Sequence, residues 1–547
     1  MTPPREQITC PVCNMKVDNL LYRFHVENEK NVLSRIQAEY PHWNSGEGIC
    51  SRCLDYYISE LVISQRVLPA IGPQFSYKSL DDFIVLPTAI RINTHPGYTG
   101  KGITICFIDS GFYLHPDLVA NQNRVKISVD LSSADVEKPV TSNSSPENWH
   151  GTMTSVVCAG DGFLSKGLYK GVAPESELVL IKVGDKNNKI TDINLIRALK
   201  WVLENHKKYA IRILNLSIAA DDASIEIEKL IELLVSEGIA VVAAVGNDEN
   251  GIIKAPASIE KVITVGGIND QNTLDNPMVT AYHSSYGSSG TFIQKPDIVA
   301  PAIWIAAPIL PGTTESLEAM ALCQLINCET QKLGELFSSL QKEGVIKVKE
   351  NISQNAKEVQ DYTRQRIAEL KIVSPHYIHV DGTSFSAPIV SGIIAQMLEA
   401  EPTLSISKIR QILFETAERI HSMPSVRQGF GLVQPRKALL KVLKRKNMDL
   451  PVQSPIVDKK NNLIRFFLMH ECAEQVSVCG SFNNWTRDIL LMEPTVNGGW
   501  VLDIPMLANG TYTYKFLVDQ THWVEDVLNP FRVADGFNGF NCILTIK

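Results

Sequence analysis

Three short phrases in this chain each hold one polar residue in a setting suited to proton transfer or nucleophilic attack. Asp109 ends the apolar run Ile105-Cys106-Phe107-Ile108 and is followed by Ser110-Gly111. His150 stands in Trp149-His150-Gly151-Thr152, and Ser384 in Asp381-Gly382-Thr383-Ser384-Phe385-Ser386-Ala387-Pro388. A serine hydroxyl is a weak nucleophile at neutral pH. A histidine must take its proton and later protonate the leaving group, while a carboxylate fixes the imidazole tautomer and stabilises its cation. The tetrahedral oxyanion needs two donors, and the Ser384 N–H at the start of an apolar helical run is one. Asn247, in Ala243-Ala244-Val245-Gly246-Asn247, offers a side-chain amide as the second. Taken singly, each residue also reads as a helix cap, a packed histidine or a turn former. Together, in the chain order Asp, His, Ser, they point to peptide-bond hydrolysis.

The elements that must position these groups alternate between strand and helix over residues 83–445. Apolar strands are expected at Ile103–Ile108, Leu178–Val183, Ile211–Ile218, Ile239–Val245 and Val262–Gly266, with helices at Ile190–Asn205 and Ile225–Glu237. Buried strands separated by helices imply a largely parallel sheet covered on both faces, with functional loops at the carboxyl ends of its strands. Asp109 and Asn247 both follow strands in this way.

These phrases resemble the motifs of the subtilisin family. Asp109-Ser110-Gly111 with His115-Pro116-Asp117-Leu118 is similar to its aspartate motif, His150-Gly151-Thr152 with Ala159-Gly160 to its histidine motif, and Gly382-Thr383-Ser384 with Ala387-Pro388 to its serine motif. Lys295-Pro296-Asp297-Ile298-Val299-Ala300-Pro301 and Gly429-Phe430-Gly431-Leu432-Val433 add to the likeness. The resemblance implies a serine endopeptidase with Ser384 as nucleophile, His150 as base, Asp109 as orienting acid and Asn247 as oxyanion amide. It also implies that Leu214–Ala219 captures the substrate main chain as an added strand. The substrate-binding set is then Leu216, Ser217, Ala219, Ala244 and Gly246.

Some features depart from that family. Ala219 stands where many relatives have glycine, Met153 where many have a second histidine, and no stretch resembles the usual inhibitory propeptide. The stretch from Pro301 to Asp381 is also long, and helical patterns at Glu315–Leu325, Gln331–Gln341 and Val359–Leu370 fill an insertion of about 309–375. Because it returns just before Ser384, it is expected to cover or gate the cleft.

Before this domain, residues 1–80 carry Cys10-Pro11-Val12-Cys13 and Cys50-Ser51-Arg52-Cys53. Each pair can present two thiolates to one ion, and two pairs complete the closed tetrahedral set of structural zinc. The region resembles a zinc ribbon with an expanded middle, so Zn2+ on Cys10, Cys13, Cys50 and Cys53 is expected. His25 and His42 are alternative ligands, and two unrelated turns or a redox dithiol the alternative readings; a dithiol would normally sit in a βαβ context.

After a linker at 446–460, residues 461–547 read as short strands punctuated by Asn497-Gly498 and Asn509-Gly510, a small β-sandwich. Cys479-Gly480-Ser481-Phe482-Asn483-Asn484-Trp485, Tyr512–Asp519 and Trp523 resemble the glycogen-binding module of the AMP-activated kinase β subunit. Carried onto matching positions, Trp485 and Trp523 would stack on glucose rings, Lys515 and Asn541 would bind hydroxyls, and Phe537 would add a loop contact. The alternative places both tryptophans in the core beside Phe516 and Trp500.

The fold class expected is therefore multi-domain: a subtilisin-like α/β domain between a four-cysteine zinc module and a carbohydrate-binding β-sandwich. A net charge of −7 over 547 residues gives no basic face for nucleic acid, and no apolar run is long enough to span a membrane. No secretory signal is recognised at the start, and eleven cysteines without a disulfide-like pattern suit a cytoplasmic protein. Protein or peptide substrates and α-glucan are the expected partners. A catalytically silent or latent adaptor joining glucan to proteins is the alternative, although such an adaptor has no chemical need for all four site residues. A glycoside-acting enzyme would require paired carboxylates that no motif supplies.

Overall fold

The computed structural model describes residues 85–546 apart from 96, 134–137, 140–143, 186–188, 220–223, 273–278, 289–292, 347–351, 353–354, 445–453, 471–472, 496–498, 530 and 538. Before residue 85 it describes 8–11, 16–17, 33, 36–37, 40–44, 47 and 49. Cys13, Cys50 and Cys53, and also His25, lie outside the described residues.

The central sheet contains β1 (Thr104–Asp109), β2 (Val125–Asp130), β3 (Glu177–Lys182), β4 (Ile211–Leu216), β5 (Ala240–Ala244), β6 (Ile263–Asn269) and β7 (Ile298–Pro301). All pairings among these seven are parallel, and short antiparallel strands at Lys138–Pro139 and Thr280–Ala281 extend the sheet. Alternate side chains sort cleanly to the two faces, as the strand period of two requires. Ile105, Phe107, Leu180, Ile213 and Val242 pack toward the helices α1 (Trp149–Ala159) and α2 (Thr383–Ala400). Cys106, Ile108, Ile181, Leu214 and Val241 pack toward the helices Asp192–Tyr209 and Ile225–Ser236. β1 sits between β3 and β4, so sequential neighbours lie on opposite sides of it and a crevice opens at its carboxyl end.

The insertion has its three expected helices, at Thr314–Ile326, Leu333–Lys342 and Ala356–Glu369. It also has a base that the helical patterns do not predict, an antiparallel sheet of Ile305–Pro308, Tyr377–Val380 and Ile372–Ser374. Its own core, including Leu322, Phe337, Val359 and Ile367, reaches Val85 and Tyr169. Tyr377 Oη donates to Asp117 Oδ2 in the buried aspartate motif. Ser144 Oγ, in the loop before His150, donates to Pro311 O.

The C-terminal region packs two antiparallel sheets. One is built on Leu463–Met469 and Gly499–Pro505, the other on Val476–Gly480, Gly510–Val518 and Phe540–Ile546. Phe466, Val478, Tyr514, Phe516 and Trp500 fill the space between them, and Trp500 Nε1 donates to His470 O at 3.0 Å. This sandwich is docked on the α/β domain. The Arg532 side chain is buried, its guanidinium carbon 4.0 Å from the ring centre of Phe430 and 4.7 Å from that of Phe540. Arg419 pairs with Glu525 at 2.6 Å, and a cavity of about 960 Å³ remains between the domains.

Candidate active site

Asp109 closes β1 with its carboxylate only 1% exposed. Its Oδ1 accepts from Ser110 N at 2.7 Å, and its Oδ2 accepts from Thr154 Oγ1 at 3.3 Å. His150 lies in the first turn of α1, one turn before the Thr154 that meets the same carboxylate. This helix can approach β1 because position 151 is glycine. A Cβ on Gly151 would lie 2.3 Å from Gly111 O and 2.9 Å from Asp109 Cβ. The close approach puts His150 Nδ1 2.7 Å from Asp109 Oδ1. With the proton on Nδ1 shared with the carboxylate, Nε2 is left as the acceptor a general base needs. Burial disfavours the imidazolium, but the Asp109 charge and hydrogen bond outweigh it, so the His150 pKa is raised above its ordinary value.

Ser384 is the second residue of α2, reached through Gly382 at φ 137°, a left-handed conformation that suits glycine. Pro388 lies inside that helix and has no N–H for the carbonyl of Ser384. Ser217 Oγ supplies the missing donor, meeting Ser384 O at 2.8 Å. Asn215 Nδ2 in turn donates to Ser217 Oγ at 3.1 Å, and Ser391 Oγ to Asn215 Oδ1 at 3.0 Å. The end of β4 and the start of α2 are thereby fastened to each other. Ser384 Oγ is turned toward Ser217 O at 3.5 Å and is not hydrogen bonded to His150 Nε2. Such contacts commonly tighten only when substrate is bound.

Asn247 is exposed after β5, and Gly246 at φ 110° leads into it. Its Oδ1 accepts from both Thr383 N and Thr383 Oγ1, each at 2.9 Å. Fixing the oxygen in this way orients the Nδ2 amide as a free donor beside Ser384. The four residues named from sequence are thus brought to one crevice. Of the substrate-binding set, Ser217, Ala219 and Gly246 lie at the carboxyl edge of the sheet, whereas Leu216 and Ala244 sit in its core. Met153 on α1 is 5% exposed and belongs to the core between the sheet and its helices. The flanking Trp149 is 41% exposed, its ring edge-to-face with the imidazole at 5.3 Å.

The family model for the subtilase family matches residues 100–431, more than half of the chain. The chain belongs to the subtilase family. This subtilase is 28% identical over 329 residues to serine protease AprX of Bacillus subtilis, a match covering 58% of this chain and 61% of AprX. It is also 28% identical over 219 residues to subtilisin Savinase of Lederbergia lenta, covering 40% of this chain and 70% of that protein. Among solved structures it is similar to fervidolysin from Fervidobacterium pennivorans, with 19% identity, a TM-score of 0.46, and coverage of 77% of this chain and 53% of that one. The match to AprX thus spans less than two thirds of that relative. A second family model, for the glycogen recognition site of AMP-activated protein kinase, matches residues 466–547 of the subtilase.

In that C-terminal module, Lys515 and Trp523 project from the sheet face opposite the core. Trp523 is opposite Leu517 in register, and β-strand Phe540–Ile546 places Asn541 on the same face. Trp485 meets Trp523 edge-to-face at 6.0 Å; Trp523 is 40% exposed and Phe537 90% exposed. Neither tryptophan belongs to the buried cluster between the sheets. Lys515 is buried and ion-paired with Asp535, a partner that the sequence reading does not name.

Proposed function

We propose that the chain is a serine endopeptidase acting through Asp109, His150 and Ser384, with Asn247 and the Ser384 N–H holding the oxyanion. The observation that carries this is the 2.7 Å contact between His150 Nδ1 and Asp109 Oδ1 beside a serine at a helix start. In the reaction, Ser384 Oγ attacks the scissile carbonyl carbon while His150 Nε2 takes its proton. Collapse of the tetrahedral intermediate breaks the C–N bond, and His150 protonates the departing amine. Water, deprotonated by the same nitrogen, then cleaves the acyl-enzyme and restores Ser384. A fluorophosphonate probe is expected to label the wild-type protein and to fail with Ser384→Ala. Absence of labelling in folded wild type would favour the adaptor reading.

We propose further that the C-terminal module directs this activity to α-glucan. Trp523 supplies an exposed ring and Trp485 a half-buried one beside it, and Asn541 and Lys515 supply the polar contacts. The protein should be retained on an immobilised α-glucan, and Trp485→Ala with Trp523→Ala should abolish retention. A wild type that runs through unretarded would remove this reading.

Zinc in the N-terminal region is the third part of the proposal. Ile8–Thr9 pairs antiparallel with Lys16–Val17, and the buried Cys10 directly follows the first of these two strands. With the other three cysteines of the two Cys-x-x-Cys pairs it would complete the closed tetrahedral set of structural zinc. Metal analysis should find one zinc per chain, lost in Cys10→Ser with Cys13→Ser. A cytoplasmic setting is part of the same reading. It is supported by Cys106, Cys158, Cys323, Cys328, Cys479 and Cys542, all of them free and most of them buried. No helix among the described residues is long and apolar enough to cross a membrane.

A further inference from the structure

The α-glucan face and the oxyanion loop are joined by a short, continuous run of polar contacts. Lys515 holds Asp535, and Asp535 Oδ1 accepts from Phe537 N at 2.7 Å and Gly539 N at 2.9 Å. The loop that carries Phe537 is therefore shaped by the same carboxylate that Lys515 grips. Gly539 O accepts from Ser425 Oγ at 3.4 Å, at the start of the one-turn helix α3 (Ser425–Gln428). Two residues on, Arg427 Nη2 donates to Glu249 Oε1 at 2.5 Å and to Tyr282 O at 3.0 Å. Glu249 lies two positions after Asn247, and His283, next to Tyr282, places Nδ1 2.9 Å from Asn247 O. Ser285 completes the support, its Oγ donating to Asp248 O at 2.7 Å.

The segment that transmits this contact has little room to absorb a displacement. A Cβ on Gly429, directly after α3, would lie 2.1 Å from Asp297 O. On the sandwich side, a Cβ on Gly539 would lie 2.7 Å from Asp535 Oδ2 and 3.0 Å from Lys515 Nζ. Phe540 N donates to Glu525 Oε1 at 2.8 Å, and Glu525 is paired to Arg419 of the peptidase domain. Close-packed elements of this kind move as blocks.

We propose that α-glucan binding at the C-terminal module regulates the peptidase through α3, by shifting the position of Asn247. The inference rests on the α-glucan reading above. The differential contact is Lys515: a sugar hydroxyl drawing on its ammonium competes with Asp535, which holds the loop of Phe537 and Gly539. A ligand that reorders this loop shifts Gly539 O against Ser425, and Arg427 carries the shift to Glu249 and Tyr282. The step affected is oxyanion stabilisation, so kcat responds and KM does not.

The test uses the full chain, maltoheptaose as the glucan probe, and a peptide boronate whose tetrahedral adduct places an oxygen at the oxyanion position. Saturating maltoheptaose should change kcat and boronate affinity by about fivefold or more, the lower edge of ordinary coupling. By linkage, the boronate must change maltoheptaose affinity by the same factor that maltoheptaose changes boronate affinity. Arg427→Ala should still hydrolyse peptide and still bind maltoheptaose, with both couplings lost. Glu249→Gln, at an exposed position, should give the same loss and covers the case in which the arginine variant folds poorly. Unchanged kcat in wild type that demonstrably binds maltoheptaose would overturn the proposal, as would full coupling in either variant. A wild type that binds no maltoheptaose would overturn the α-glucan reading itself, and the coupling with it.

Discussion

Asn247 is where the oxyanion reading meets its strictest test, because its two amide atoms have separate duties. Oδ1 is committed to Thr383 N and Thr383 Oγ1 at 2.9 Å each, and Nδ2 is the free donor. Asn247→Ala removes both atoms. Loss of one oxyanion donor costs about 10²–10³ in kcat, or about 2.7–4 kcal/mol. It also strands the Thr383 donors, at about 1–3 kcal/mol of stability if they stay shielded from water. Asn247→Asp separates the two effects. A carboxylate still accepts from Thr383, so the melting temperature should stay close to wild type. Its second oxygen, however, places negative charge where the oxyanion forms. The kcat of Asn247→Asp should therefore fall at least as far as that of Asn247→Ala, with KM little changed in both. The assay is steady-state hydrolysis of a chromogenic peptide, with thermal unfolding of each variant measured in parallel. An aspartate variant that kept kcat within about threefold, against the 10²–10³ expected, would show that Nδ2 does not face the reacting oxygen.

His150 must be neutral to act as base, so kcat/KM should rise with pH to a midpoint above the 6.5 of an ordinary histidine; in Asp109→Asn that midpoint should drop and kcat should fall by about 10⁴. Burial raises the pKa of Asp526 to about 7, against opposing hydrogen bonds from Ser454 and Tyr514. Its contribution to stability is complete below its ordinary 3.8 and is lost as pH rises through about 7. Thermal unfolding between pH 5 and pH 8 should show that loss in the wild type and a flatter profile in Asp526→Asn. Tyr377→Phe withdraws a donor from the buried Asp117 carboxylate and should destabilise the protein by about 1–3 kcal/mol in denaturant unfolding.

The parts legible in the sequence are those that depend on local pattern. Ile105 to Ile108, Leu178 to Ile181 and Ala240 to Ala244 read as buried strands because both sheet faces are covered, and the structure places strands there. Asp109 and Asn247 stand at or just after strand ends as expected, and His150 lies inside a helix that begins at Trp149. What pattern could not give is contact between distant segments. Val125–Asp130 is only partly buried, so it lacks the apolar run that marks its neighbours. The strands at the base of the insertion are short, and Ile305–Pro308 meets Tyr377–Val380 only through a long return of chain. Lys515 is expected as a sugar contact only through a family resemblance, whereas Asp535, twenty positions away, is brought to it by the hairpin Arg532–Ala534 with Phe540–Ile546. Ser217 is expected from the resemblance as part of a substrate-binding strand. Its bond to the carbonyl left open by Pro388 links residues 167 positions apart, and only the folded chain unites them.

Arg532 wedged between Phe430 and Phe540 has a bearing on where the proposed peptidase could cut. A binding module on a loose tether lets its catalytic partner sweep a volume around the anchoring point, so any protein within that radius is within reach. Here the module and the cleft share a packed, charged seam, and the distance and angle between them are built into the molecule. Held on a polysaccharide surface, such a protease would present its crevice at one height and one tilt. Its choice of substrate would then be set by which chains stand out from that surface at that height, as much as by the side chains flanking the bond.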